Sequence, residues 1–193
     1  MKELNIKLNT FIHGNFISLK VCDDLINIFN KNKQKQIPGG FTKNEKYIID
    51  KEWKDSMDLN IDPQDNNLIN YKNELSKVLK NYCNKYKHIN SLDYFTVTKS
   101  MIIQHYEKNG GFKKWHSERG SKLSQDRVLV FMTFLNDCKN GGTEFKSMES
   151  FHSLSIIYFS FLFGLLSGLI HIRVKYLMKK KNILLLVGLI LYD

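Results

Sequence analysis

Cysteine and proline are scarce in this chain: three cysteines (Cys22, Cys83 and Cys138) and two prolines in 193 residues. The odd cysteine count, with no C-x-x-C spacing, excludes a closed disulfide framework and a zinc knuckle. A reducing, cytoplasmic setting is the simplest fit. The first residues, MKELNIKLNTF, lack the apolar run of a secretory signal. A clustered basic stripe is also missing. The formal net charge is +10, which raises the question of an acidic partner. The excess is scattered lysine with no arginine stripe interleaved by aromatics, so nucleic acid is not the expected partner. Lys, Asn and Ile all have A/T-rich codons, and part of the lysine excess is base composition. No internal repeat is present.

What remains is an ordinary globular balance, 25% charged and 42% hydrophobic residues, long enough for one domain with a real core. Residues 17–30 place Ile17, Val21, Leu25, Ile28 and Phe29 at helical spacing, and residues 67–87 do the same with Leu68, Tyr71, Leu75, Val78, Leu79 and Tyr82. Between them, residues 31–65 are polar and carry turn signals at Pro38-Gly39-Gly40 and Asp62-Pro63, which reads as a long loop facing a substrate or closing over one. From Tyr94 the texture changes. FTVTKSMIIQHY alternates and is β-branched, Gly110-Gly111 is a turn, FKKWHSE is a short strand, and RVLVFMTFL is an apolar strand ending at a turn, NDCKNGG. Helices followed by antiparallel strands predict an α+β fold. The expected division is 1–93 as a helical support, 94–150 as the core, and 151–193 as an apolar tail.

The chemistry is concentrated between Gln104 and Phe145. His116 and Glu118 stand two residues apart, so on a strand they share a face and an imidazole and a carboxylate can reach one ion. A histidine, a carboxylate and a second, distant histidine make the facial triad of non-haem Fe(II) oxygenases. A lone H-x-E is more often a solvated strand. Here it sits inside Y-x-x-x-G-G-F-x-x-W-H-x-E, then R-x-L-x-x-x-x-x-L-N, then G-G-T-E-F.

That series resembles the core of the Fe(II)/2-oxoglutarate-dependent dioxygenases of the prolyl 4-hydroxylase type, over roughly residues 10–146 and most closely over 94–146. The resemblance implies a double-stranded β-helix (jelly roll) with flanking N-terminal helices. It implies Fe(II), 2-oxoglutarate and O₂ as cofactors, with ascorbate as an accessory reductant. It also implies hydroxylation of a peptidyl, proline-like or small-molecule substrate. His116 and Glu118 match the first two iron ligands, Glu118 standing where most members have Asp. Tyr106 matches the tyrosine that hydrogen-bonds 2-oxoglutarate; a plain core aromatic is the alternative. Arg127 matches an arginine at the start of a core strand whose role could be structural. Trp115 points away from His116 and is expected in the core. His105 neighbours Tyr106, faces the other side and is not expected to be a ligand.

The family ends on a pattern resembling W-P-S-x-W-T-H-T-H and then K-Y-I-I-T-G-W. These supply a third iron ligand and, ten residues on, a Lys or Arg for the far carboxylate of 2-oxoglutarate, a charge-assisted pairing. This chain has neither. Codons for K-Y-I-I-T-G-W read one base out of frame spell N-I-L-L-L-V-G, the sequence at 182–188. In that reading Ile172 stands where the distal histidine belongs and Asn182 where the basic residue belongs. His171 is the only histidine near the required distance, and an isolated histidine in an apolar run is the commoner meaning. The expectation is a core whose C-terminal strands are incomplete and whose activity is weak or absent. The alternative takes the tail at face value. Residues 154–172 carry no charge over about the length of a spanning helix, followed by Arg173, Lys175 and Lys179 to Lys181. That describes a non-catalytic protein anchored to a membrane by its tail.

Overall fold

The computed structural model describes residues 2–4, 11–91, 95–97, 101–118, 127–136, 138–146, 151–156, 159–164, 173–178 and 183–192, with backbone pairing alone beyond residue 144. The chain opens with strand β1 (Ile12–Phe16) and helix α1 (Leu19–Lys31). Five short strands follow: β2 (Ile37–Pro38), β3 (Phe41–Lys43), β4 (Lys46–Ile48), β5 (Lys54–Asp55) and β6 (Met57–Ile61). Helix α2 (Ile69–Lys85) leads into β7 (Phe95–Thr96), β8 (Met101–Tyr106), β9 (Gly111–Phe112), β10 (His116–Ser117) and β11 (Arg127–Phe134). The last strands are β12 (Cys138–Lys146), β13 (Phe151–Ile156), β14 (Phe159–Gly164), β15 (Arg173–Met178) and β16 (Ile183–Tyr192).

An eight-stranded sheet runs β1-β14-β11-β16-β8-β6-β2, with β7 also on β16, and a four-stranded sheet runs β10-β15-β12-β13. Strands from the N-terminal, central and tail segments share the large sheet. Both helices bury the faces their periodicity marks: Val21, Cys22, Leu25 and Phe29 in α1, and Tyr71, Leu75, Val78 and Tyr82 in α2. Burial pushes the Cys22 thiol up to about 12, which leaves it an inert core group. The α2 face lies on β11, where the Tyr71 hydroxyl bonds the Thr133 hydroxyl at 2.8 Å and the Tyr71 ring meets Phe131. The α1 face lies on β8, with the Phe29 ring 5.8 Å from His105. Leu129, Phe131, Met101 and Ile103 belong to this helix-side core. On the opposite side of β11, Val130, Met132 and Phe134 are also fully buried. A strand covered on both faces needs an unbroken apolar run, and RVLVFMTF supplies one.

Three expectations change. The segment 31–65 is not a plain loop: β2 and β6 extend the large sheet, and β3 and β4 form a hairpin. The MDLNI stretch alternates because Leu59 and Ile61 turn into the helix-side core while Asp58 turns to the other face. Second, the tail is built from strands. Its residues 154–156 and 159–164, a membrane-spanning helix in the alternative reading of the tail, pair with β12, β1 and β11. Among the described residues no helix is long and apolar enough to cross a membrane. Strand β16 lies between β11 and β8 in the large sheet. Third, Trp115 is half-buried, not a core residue.

Candidate metal centre

The site begins at a forced turn. The Gly110 amide donates to Glu107 O at 2.8 Å, and a Cβ at Gly110 would sit 2.8 Å from the Asp55 carbonyl, so no side chain fits. Asn109 holds φ 68°, a left-handed value that asparagine tolerates better than most residues. The turn delivers β9, paired to β5 through Lys54–Phe112 and Asp55–Gly111. Four residues beyond Phe112 the chain places His116, whose imidazole stacks on the Phe112 ring at 3.6 Å between centroids and 18° between planes.

His116 and Glu118 share a side, as their spacing predicts, with Ser117 exposed between them. Their side chains are 15% and 14% exposed, and His116 Nε2 lies 3.4 Å from Glu118 Oε1. His116 Nδ1 lies 3.1 Å from the Lys114 carbonyl, which can only accept, so Nδ1 carries the proton. Nε2 then turns a lone pair toward a carboxylate oxygen, and two acceptors at that distance require a positive charge between them. A proton or a metal ion can supply it. Two donors at right angles, each about 2.0–2.2 Å from an ion, stand about 3 Å apart. The pair therefore fits two neighbouring ligands of one divalent cation. A protonated backbone-anchored Nδ1 is the usual way to orient such a histidine.

Arg127 fixes the carboxylate. Its Nη1 donates to the Glu118 carbonyl at 2.6 Å and to Oε2 at 3.1 Å, leaving Oε1 for His116. Burial pushes the Glu118 carboxyl up. The His116 hydrogen bond and charge, with the Arg127 and Lys54 cations, outweigh it and hold the group below its ordinary value. Glu118 thus remains an anion in a mostly dry place. The role left open for Arg127 in the sequence is to aim this side chain.

Tyr106 is fully buried and donates to Gln104 Oε1 at 2.9 Å. Burial, and then the charges of Asp58 and Glu118, push its phenol well above the ordinary value, so it stays a neutral hydroxyl. Ile183 lies opposite Tyr106 across the sheet. His105 faces α1, as expected. His171, Ile172 and Asn182 lie outside the described residues. Among the described residues no group of three His, Cys, Asp or Glu could hold a metal.

Three residues of the site escaped sequence reasoning because they stand in the polar segment read as loop. Lys54 Nζ pairs with Asp58 Oδ2 at 2.5 Å, the two side chains only 4% and 5% exposed. The Ser56 hydroxyl donates to Asp58 Oδ1 at 2.7 Å. Asp58 lies opposite Gln104 in the β6–β8 register. The available signals were the K-x-x-x-D spacing and the alternation of MDLNI.

No protein-family model matches the sequence, and no curated protein matches it significantly. Solved structures do. A prolyl-4-hydroxylase from Pseudomonas putida superposes with a TM-score of 0.70 at 11% identity, covering 96% of this chain and 94% of that one. A viral collagen prolyl hydroxylase from Paramecium bursaria Chlorella virus-1, solved with 2-oxoglutarate, gives 0.62 at 15% identity, covering 96% and 98%. A Trichoplax adhaerens prolyl hydroxylase, in complex with a hypoxia inducible factor peptide fragment, gives 0.69 at 12%, covering 96% and 86%. The chain has the prolyl 4-hydroxylase-like fold of the 2-oxoglutarate–Fe(II) oxygenases.

Proposed function

We propose that this chain is an Fe(II)- and 2-oxoglutarate-dependent dioxygenase of the prolyl-hydroxylase type, built on a double-stranded β-helix. His116 and Glu118 are two of its iron ligands, and its substrate is a peptidyl, proline-like residue. The observation that carries this reading is His116 Nε2 facing Glu118 Oε1 at 3.4 Å, with both partners locked from behind. When bound, iron with 2-oxoglutarate and O₂ supplies a hydroxylation coupled to release of succinate and CO₂, ascorbate serving as accessory reductant. The protein's own part is placement. Lys114 O sets the tautomer of His116, and Arg127 aims Glu118. Tyr106, at the end of β8, offers a neutral hydroxyl to an anionic co-substrate. The peptide bound to the Trichoplax protein supports a peptidyl substrate.

The reading includes slow turnover, because the third ligand and the basic residue are replaced. Strand β15 begins at Arg173, opposite Ser117, and β16 begins at Ile183, opposite Tyr106. In sequence, Ile172 and Asn182 immediately precede those two strands. This supports the view that a one-base shift in the coding DNA converted a histidine and a lysine at these positions.

The test is succinate release from 2-oxoglutarate with Fe(II), ascorbate and proline-rich peptides. It is run on the parent chain and on Ile172→His/Asn182→Lys. Slow release by the parent and at least tenfold faster release by the double variant are expected. A double variant no faster than the parent would contradict the assignment.

A further inference from the structure

We infer that Lys54 takes the place of the missing basic residue and binds a carboxylate of the dianionic co-substrate, reaching it from the side of Tyr106 on which β6 lies. The inference rests on the function proposed above and deepens it. Tyr106 and Gln104 share a face of β8, two residues apart. On one side β8 pairs with β16, which opens at Ile183 opposite Tyr106, just after Asn182. On the other side it pairs with β6, where Asp58 lies opposite Gln104. Lys54 Nζ is anchored on Asp58, so its ammonium stands on the face that carries Tyr106. Lys54 also pairs with Phe112 across β5–β9, and Phe112 stacks on His116. The cation is thus tied to both halves of the site.

Among the described residues Lys54 has donors to spare. The residue is 3% exposed, and an ammonium has three donors. Among the described residues its nitrogen has one acceptor, Asp58 Oδ2. A buried cation with unused donors is stabilised by a second acceptor, and a carboxylate is the best available. Asp58 is itself held by Ser56, so it can keep its place when a second anion arrives.

The experiment is calorimetric titration of the Mn(II)-loaded full chain with 2-oxoglutarate and with 2-oxobutyrate, which lacks the far carboxylate. The parent is compared with Lys54→Met/Asp58→Asn, which avoids stranding a buried carboxylate, and with Lys54→Arg. The parent is expected to prefer 2-oxoglutarate over 2-oxobutyrate. The double variant should lose at least tenfold in 2-oxoglutarate affinity while its 2-oxobutyrate and Mn(II) affinities stay within about twofold. Lys54→Arg should keep most of the preference. Equal losses for both ligands, or no loss for either, would overturn the role of Lys54 and leave the proposed function standing. Should the double variant not fold, Lys54→Gln/Asp58→Asn, which keeps a hydrogen bond between the pair, replaces it with the same expected losses, and a parent that binds both acids equally contradicts the role. A parent that binds Mn(II) but neither acid would overturn the 2-oxoglutarate reading itself, and Lys54's role with it.

Discussion

Strands β11 and β16 lie side by side in the large sheet and have the same texture, RVLVFMTF against ILLLVGLILY. One reads from sequence as a strand, the other as part of an apolar tail that shows neither strand alternation nor a helical face. The difference lies in their surroundings. The first follows a motif and ends at a turn, and the second follows nineteen uncharged residues and a basic stretch. A central strand covered on both faces has no alternation to display, so periodicity cannot separate it from a buried or spanning helix. Pairing partners decide, and they are distant in sequence.

The comparison is broken most directly by a charge in each strand. Val130 and Leu189 are register partners. Val130→Asp should cost about 4 kcal/mol or more, the scale of an unpaired charge in a core, and Leu189→Asp, on the neighbouring strand, is expected to destabilise as well. Chemical denaturation measures both. A neutral Leu189→Asp beside a damaging Val130→Asp would make the tail dispensable to the fold. Next in size is Lys54→Ala, which strands the Asp58 carboxylate and should cost about 3–5 kcal/mol, against a much smaller loss for the paired neutral replacement. Arg127→Ala frees the Glu118 side chain and should weaken Mn(II) binding roughly ten- to hundredfold with little change in denaturation midpoint. A large midpoint shift with unchanged metal affinity would make Arg127 a purely structural residue.

The smallest effect is on pH dependence. Glu118 is held below its ordinary value of 4.5 in the folded chain. Its contribution to stability is therefore full above that value and is lost as pH falls through the lower folded one. In metal-free protein, Glu118→Gln should flatten the loss of stability below about pH 5. A parent and variant with parallel acid limbs would show that Glu118 is not under the influence of His116, Arg127 and Lys54.

Much of the architecture was legible. The helix faces of Leu25, Phe29, Tyr71 and Tyr82 follow from a 3.6-residue period, and the His116–Glu118 pairing from a two-residue one. Legibility failed where the cause was not local. Lys54, Ser56 and Asp58 form a buried cluster within a segment too polar to suggest burial, because they satisfy one another and Gln104's strand lies beside them. The turn at Gly110 was readable, but its reason, the Asp55 carbonyl pressed against it, belongs to a strand 55 residues nearer the N-terminus.

The central claim is that His116 and Glu118 are two ligands of one divalent cation. The most direct measurement is calorimetric titration of the full chain with Mn(II), parent against His116→Ala, with far-ultraviolet circular dichroism confirming that both are folded. The account predicts saturable binding by the parent, at least about a hundredfold weaker in the variant, and 2-oxoglutarate binding that requires the metal. A folded His116→Ala chain that binds Mn(II) as tightly as the parent would contradict it.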